Sequence, residues 1–118
     1  MRKKIMIVDD EPDVGKTIEV LLEKNGFDTI LAYNGDECLD KLKAEKPDLI
    51  LMDIMMPGTP VKKIVSKIKG IKIAYLSVVN YVEAEKEGLI GKNHVVDYIQ
   101  KPFNVNDLVS RVKKLVSI

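Results

Sequence analysis

Cysteine and histidine occur once each in the 118 residues, and tryptophan not at all. A single thiol, Cys38, cannot close an internal disulfide, which points to a reducing compartment. A single imidazole, His94, does not make a metal site by itself and reads as a surface or loop residue. Charge of one sign is also lacking: 19 basic residues face 18 acidic ones, for a formal net charge of +1. That balance sets up no strong field toward nucleic acid or a membrane, so no direct binding to either is expected. Long hydrophobic runs are missing too. The basic start MRKK leads into IMIV, which breaks at Asp9 after four residues, too short for a signal peptide. No stretch reaches transmembrane length, and there is no internal repeat, low-complexity tract or linker. The expectation is one cytoplasmic domain spanning 1–118, its 46% hydrophobic content ample for one core.

The apolar residues that are present come in short runs: KIMIV (4–8), DTILA (28–32), DLILMD (48–53), KIAYLS (72–77) and VVDYIQ (95–100). Most are continuous rather than alternating, as in strands covered on both faces. Helical patterns lie between them. Val14, Ile18, Leu21 and Leu22 share one face, as do Val61, Ile64, Val65 and Ile68. The last set is Val105, Leu108, Val109, Val112, Leu115 and Val116. Pro12 suits a first helical turn, and Asn25-Gly26 a left-handed helix end. Asn34 with Glu37 resembles a capping box. Lys46-Pro47 closes the second helix, and Asn104 caps the last. The polar segment 79–94 has the weakest periodicity. The order is βαβαβαβαβα, hence an α/β fold with a doubly wound parallel sheet between helices. Strand order does not follow from the pattern alone.

Ligands in such folds bind beyond the carboxyl ends of the strands. The first strand ends in Asp9-Asp10, the third in Asp53 and the fourth in Ser77, while the fifth runs into Lys101-Pro102. A parallel sheet therefore gathers three carboxylates, a hydroxyl and an amine on one rim. Adjacent carboxylates repel unless a cation lies between them, and a hard divalent cation such as magnesium takes oxygen ligands of this kind. The amine and hydroxyl suit a phosphoryl group, whose transfer needs positioning and charge neutralisation more than proton chemistry. Asp53, delivered singly by a buried strand, is the candidate nucleophile for an aspartyl-phosphate, with Asp9 and Asp10 as metal holders. Any one of these Asp residues alone would read as a helix cap or turn former. The set at matching strand ends carries the argument.

The motifs IVDDEP, LILMDIMMPG, YLS and DYIQKPF, in that order over essentially the whole chain, resemble the receiver domain of two-component response regulators. The resemblance implies a flavodoxin-like (βα)5 fold, a five-stranded sheet of order 2-1-3-4-5. It implies that Asp53 accepts a phosphoryl group from a histidine kinase or phosphotransfer protein. Asp10 would ligate magnesium directly, Asp9 through water, and the Met55 backbone carbonyl and Asp53 would complete the protein ligands, with manganese as a substitute. Lys101 and Ser77 would hold the phosphoryl group, Tyr98 would change rotamer as Ser77 moves, and Lys101-Pro102 would be a cis peptide. The switching surface would be the fourth helix, fifth strand and fifth helix, read by an effector protein or a covalently linked output domain. Such a chain is not an enzyme on other molecules and catalyses only its own phosphotransfer and dephosphorylation.

Some positions depart from the family pattern. Val78 follows Ser77 where a small residue is usual, so access to the phosphoryl site is expected to narrow. Pro60 and Val61 alter the approach to the third helix. Three other functions compete: a phosphorylation-independent interaction module built on the same fold, a small-molecule phosphatase using an aspartyl-phosphate, and a flavin-binding flavodoxin. The phosphatase family places its two Asp residues two apart on the first strand, whereas here they are adjacent. A flavin-binding flavodoxin would want a Ser-, Thr- and Gly-rich loop where DDEPD stands. The lysine-rich VKKIVSKIKGIK reads as a solvated helix face. Cys38, Tyr33, Tyr75 and the methionines around Asp53 read as packing residues.

Overall fold

The computed structural model describes residues 2–86, 88–91 and 94–117. Five strands and five helices alternate: β1 (Lys4–Val8), α1 (Pro12–Lys24), β2 (Asp28–Ala32), α2 (Gly35–Lys41), β3 (Leu49–Met52), α3 (Val61–Lys67), β4 (Lys72–Ser77), α4 (Tyr81–Lys86), β5 (Val95–Gln100) and α5 (Val105–Val116). All strand pairs are parallel and the sheet order is β2-β1-β3-β4-β5. This is the flavodoxin-like sheet that the resemblance implied.

The continuous apolar strands have a simple cause. In β1, Ile5 and Ile7 face one layer and Met6 and Val8 the other, and all four are buried. The first layer is filled by Ile18 and Leu22 of α1 with Leu108 and Val112 of α5. The second is filled by Cys38 of α2, Ile64 and Val65 of α3 and Ala84 of α4. A strand covered on both sides has no solvent face on which to place polar residues.

Local signals act largely as expected. Pro12 opens α1, and Glu11 before it makes no side-chain cap. Gly26 takes φ +93 after α1, a region that disfavours any side chain. Asn34 accepts the Glu37 N–H at 2.7 Å, while the Glu37 carboxylate pairs with Lys41. Asn104 accepts the Asp107 N–H at 3.1 Å.

Several expectations are corrected. Regular α2 stops at Lys41 rather than at Lys46-Pro47. The N–H groups of Lys43 and Ala44 reach back three residues, to Asp40 and Lys41, so the helix tightens into a turn well before the proline. β3 excludes Asp48 and Asp53, which flank it. Val105 and Tyr33 are exposed rather than packed. His94 lies in the turn before β5, in keeping with a loop role; it is half-buried, with Nε2 3.1 Å from the Val65 carbonyl of α3. The weakly periodic segment 79–94 contains a six-residue α4 started by Asn80, which accepts the Glu83 N–H at 2.9 Å. Glu87, Lys92 and Asn93 of that segment lie outside the described residues.

Candidate functional site

The register of the central strands builds the site. Val8 pairs with Met52, so the residues that follow them, Asp9 and Asp53, emerge side by side. The Asp9 N–H donates to Ala32 O at 3.1 Å and the Asp53 N–H to Val8 O at 2.9 Å, which extends the ladder one step past the strands. On the other side Ser77 pairs with Gln100, and the Lys101 N–H donates to Ser77 O at 2.8 Å. Four strand ends thus deliver their polar residues to one rim. The first and third strands are neighbours from which the chain winds in opposite directions, the crevice where such folds bind ligands.

Asp9 and Asp53 are only 3% and 4% exposed, and Ser77 is fully buried. Asp10 is half-buried beside them. One carboxylate oxygen from each of Asp9, Asp10 and Asp53 lies within 4.8 Å of the others. Each buried carboxylate is oriented by backbone: Asp9 Oδ1 accepts the Glu11 N–H at 2.9 Å, and Asp53 Oδ1 the Met55 N–H at 3.0 Å. Gly58, at φ +96, turns the loop between β3 and α3. Lys101 Nζ donates to Asp9 Oδ2 at 2.7 Å and approaches Asp53 Oδ2 at 3.4 Å. The Lys101-Pro102 peptide is cis.

The electrostatics follow from burial. Desolvation pushes the Asp53 carboxyl above its ordinary range, and the neighbouring Asp9 adds to it. The Met55 N–H, the Lys101 charge and the Ser77 hydroxyl pull the other way without cancelling it. Burial works to lower the Lys101 ammonium, but its hydrogen bond to Asp9 and the charges of Asp53 and Asp9 outweigh that and hold it above normal. The site therefore carries more carboxylate than one lysine balances. An all-oxygen donor set with surplus negative charge fits a hard divalent cation. Asp9, Asp10 and Asp53 are the side chains that would hold it.

The remaining expected residues occupy the rim. The Met55 side chain is 58% exposed, which corrects its reading as packing, although its backbone borders Asp53. Met52 is fully buried and Met56 partly so. Val78 is 61% exposed and lines, with Val14, Ile18, Pro102 and Phe103, an apolar groove of about 560 Å³ next to Lys101. Ser77 Oγ accepts the Val79 N–H at 3.4 Å. Cys38 is core, and burial pushes its thiol up to about 12.

Tyr98 sits in a setting that the sequence did not reveal. Its ring lies edge-on between Tyr75, at a centroid distance of 6.2 Å, and Tyr81, at 5.9 Å. Tyr75 is its register partner on β4 and Tyr81 opens α4. Period-two alternation offers no means of pairing these tyrosines without knowing that β4 and β5 are adjacent.

The family described as the response regulator receiver domain matches residues 5–113. Among solved structures, a response regulator from Thermotoga maritima is 30% identical, with full coverage of both chains and a TM-score of 0.82. The response regulator TrrA of the same organism, in complex with Mg(2+)-BeF, is 32% identical over 96% of this chain and 98% of that one, at a TM-score of 0.80. A CheY-like receiver domain protein from Methanospirillum hungatei is 27% identical over 98% and 94%, at 0.85.

Proposed function

The chain belongs to the response regulator receiver domain family, and on that premise we propose that it is a phosphoacceptor switch whose acceptor is Asp53. The donor is a phosphohistidine on a sensor histidine kinase or phosphotransfer protein. The observation that carries this reading is the convergence of three carboxylates within 4.8 Å, with the Lys101 ammonium 3.4 Å from Asp53.

The chemistry is a transfer between two leaving groups. The P–N bond to the donor imidazole breaks, its electron pair staying on nitrogen, and an O–P bond forms at the Asp53 carboxylate. Asp53 is held for this by the Met55 N–H, which fixes the rotation of its carboxylate. Burial removes water from the nucleophile, which raises its basicity. Lys101 is placed to bind a phosphoryl oxygen once its contact with Asp9 is exchanged. Asp9, Asp10, Asp53 and the Met55 carbonyl would hold a magnesium or manganese ion, which would supply positive charge toward the phosphoryl oxygens and offset the repulsion among the carboxylates. Ser77, at the end of β4, takes a further phosphoryl oxygen. Its movement, with that of Tyr98, biases the α4-β5-α5 surface toward a form read by an effector or a linked output domain. The groove beside Lys101 supports docking of an apolar helix of the donor protein, because it brings that partner next to the acceptor.

The test is intact mass after incubation with acetyl phosphate, with magnesium and with EDTA, on this chain and on Asp53→Asn. The expected result is a gain of about one phosphoryl group that needs magnesium and vanishes in the variant. Absence of an adduct, even with a histidine-kinase donor and rapid sampling, would favour the phosphorylation-independent interaction module. The bulk of Val78 at the rim is the observation on that side.

A further inference from the structure

Residues 54–82 contain five lysines and no aspartate or glutamate. In a chain whose total charge is +1, the rest must be net acidic, so the positive charge is segregated. Three-dimensional structure gives this segregation a focus. Leu39 of α2, Leu42 at its C-terminal end and Ile71 just before β4 are only partly covered. With the buried Ile68 they form the floor of a groove of about 230 Å³, whose rim is Lys43, Lys67 and Lys69. Lys43 meets Asp40 at 3.4 Å through two widely exposed side chains. Such a pair is weak and easily exchanged. Among the described residues, no carboxylate lies within ion-pair distance of Lys67 or Lys69.

We propose that the α2–α3 groove of Leu39, Leu42, Ile68 and Ile71, rimmed by Lys43, Lys67 and Lys69, docks an acidic segment of a partner protein through an aliphatic anchor. The apolar floor takes one or two Leu- or Ile-sized side chains, and the three ammonium groups meet carboxylates beside that anchor. Charge complementarity selects the sign of the partner. Its class follows from the floor, which has no aromatic ring on which a base would stack. The rim favours carboxylates over a phosphate held at one point, because lysines are separate mobile charges rather than a fixed fork. The groove is small, so the contact is weak and transient. It lies at the amino ends of β3 and β4, whereas Asp53 follows the carboxyl end of β3 and Ser77 closes β4. The inference therefore does not rest on the phosphoacceptor reading, and both faces can be engaged together.

The test is a heteronuclear NMR titration of the full chain with three probes of equal length. These are a peptide of Glu with Leu at helical spacing, a peptide of Glu with Ser in place of Leu, and a single-stranded RNA. The expected result is shifts at residues 39–43 and 67–71 with the Glu/Leu peptide, weakened by salt. Binding should fall at least about tenfold in the triple variant Lys43→Gln/Lys67→Gln/Lys69→Gln, and further with Glu at the three positions. These side chains are exposed, so the fold is retained, and a melting curve checks it. Phosphorylation of Asp53 should be unchanged in either variant. The proposal is overturned if the Glu/Leu peptide does not bind, if its shifts map elsewhere, or if the lysine variants bind it as well as the parent. It is also overturned if Glu/Ser or RNA binds as tightly, since the apolar floor would then play no part.

Discussion

Lys101 is bonded more closely to Asp9 than to the acceptor: Nζ lies 2.7 Å from Asp9 Oδ2 and 3.4 Å from Asp53 Oδ2. The contact spans 92 residues of sequence and joins the end of the fifth strand to the end of the first. All three side chains are nearly out of water, so this lysine is a structural counter-ion as well as a candidate phosphoryl ligand.

Replacing Lys101 by Met should therefore destabilise the chain in EDTA. Two buried carboxylates would lose their only close cation among the described residues, and breaking a buried pair from one side costs about 3 kcal/mol. Urea unfolding measures this. Adding Asp9→Asn to the variant should recover much of the loss, and a loss well below 1 kcal/mol would mean that the contact is screened.

Asp53→Asn should raise the melting temperature at pH 7 in EDTA by a few degrees. The folded state raises the Asp53 pKa, so between the unfolded value and that higher folded value the folded state holds the extra proton. Stability from this group is present below the unfolded value and is lost as pH rises through the folded one. Asn mimics the protonated form. The gap between variant and parent should be largest at neutral pH and shrink on acidification until Asp53 is neutral in the folded and the unfolded state alike. A gap independent of pH would show that burial does not control this group.

Two tyrosine-to-phenylalanine changes should differ in sign. Tyr75 donates its hydroxyl to the Leu89 carbonyl at 3.2 Å in the core, so Tyr75→Phe should cost about 1 kcal/mol. The Tyr98 hydroxyl is buried with no partner among the described residues. Tyr98→Phe should leave stability unchanged or raise it, because a desolvated hydroxyl is removed. Denaturant midpoints of the two variants, at equal m-value, make the comparison. Equal losses would contradict it.

Val78→Ala tests access to the acceptor. Val78 is exposed, so its truncation should leave stability within about 0.5 kcal/mol. It should speed phosphorylation by acetyl phosphate or hydrolysis of the phosphorylated form by about fivefold, near 1 kcal/mol of barrier. Unchanged rates for both would remove Val78 as a determinant.

What the sequence determined by itself is the part of the molecule that depends on local period and on covalent order. Continuous apolar runs separated by helical patterns specify a buried parallel sheet, because a strand with no polar face must be covered twice. Parallel strands in turn force Asp9, Asp10, Asp53, Ser77 and Lys101 to one rim, so the candidate site was legible before any contact was known. Caps at Asn34 and Asn104 were legible for the same reason, since their partners are three residues away.

The tertiary structure decided what depends on which elements meet. Strand adjacency paired Tyr75 with Tyr98 and brought Tyr81 onto the same ring. It also selected Asp9 as the closer partner of Lys101, a preference no motif encodes. The early end of α2 belongs here too. Pro47 forbids helix beyond a point, but the turn that carries the chain into β3 stops it sooner. Packing of the end of α2 against the end of α3 turns a lysine-rich helix face, unremarkable in one dimension, into the rim of a groove. Local rules say where an element can exist; burial against its neighbours sets where it ends and what it leaves exposed.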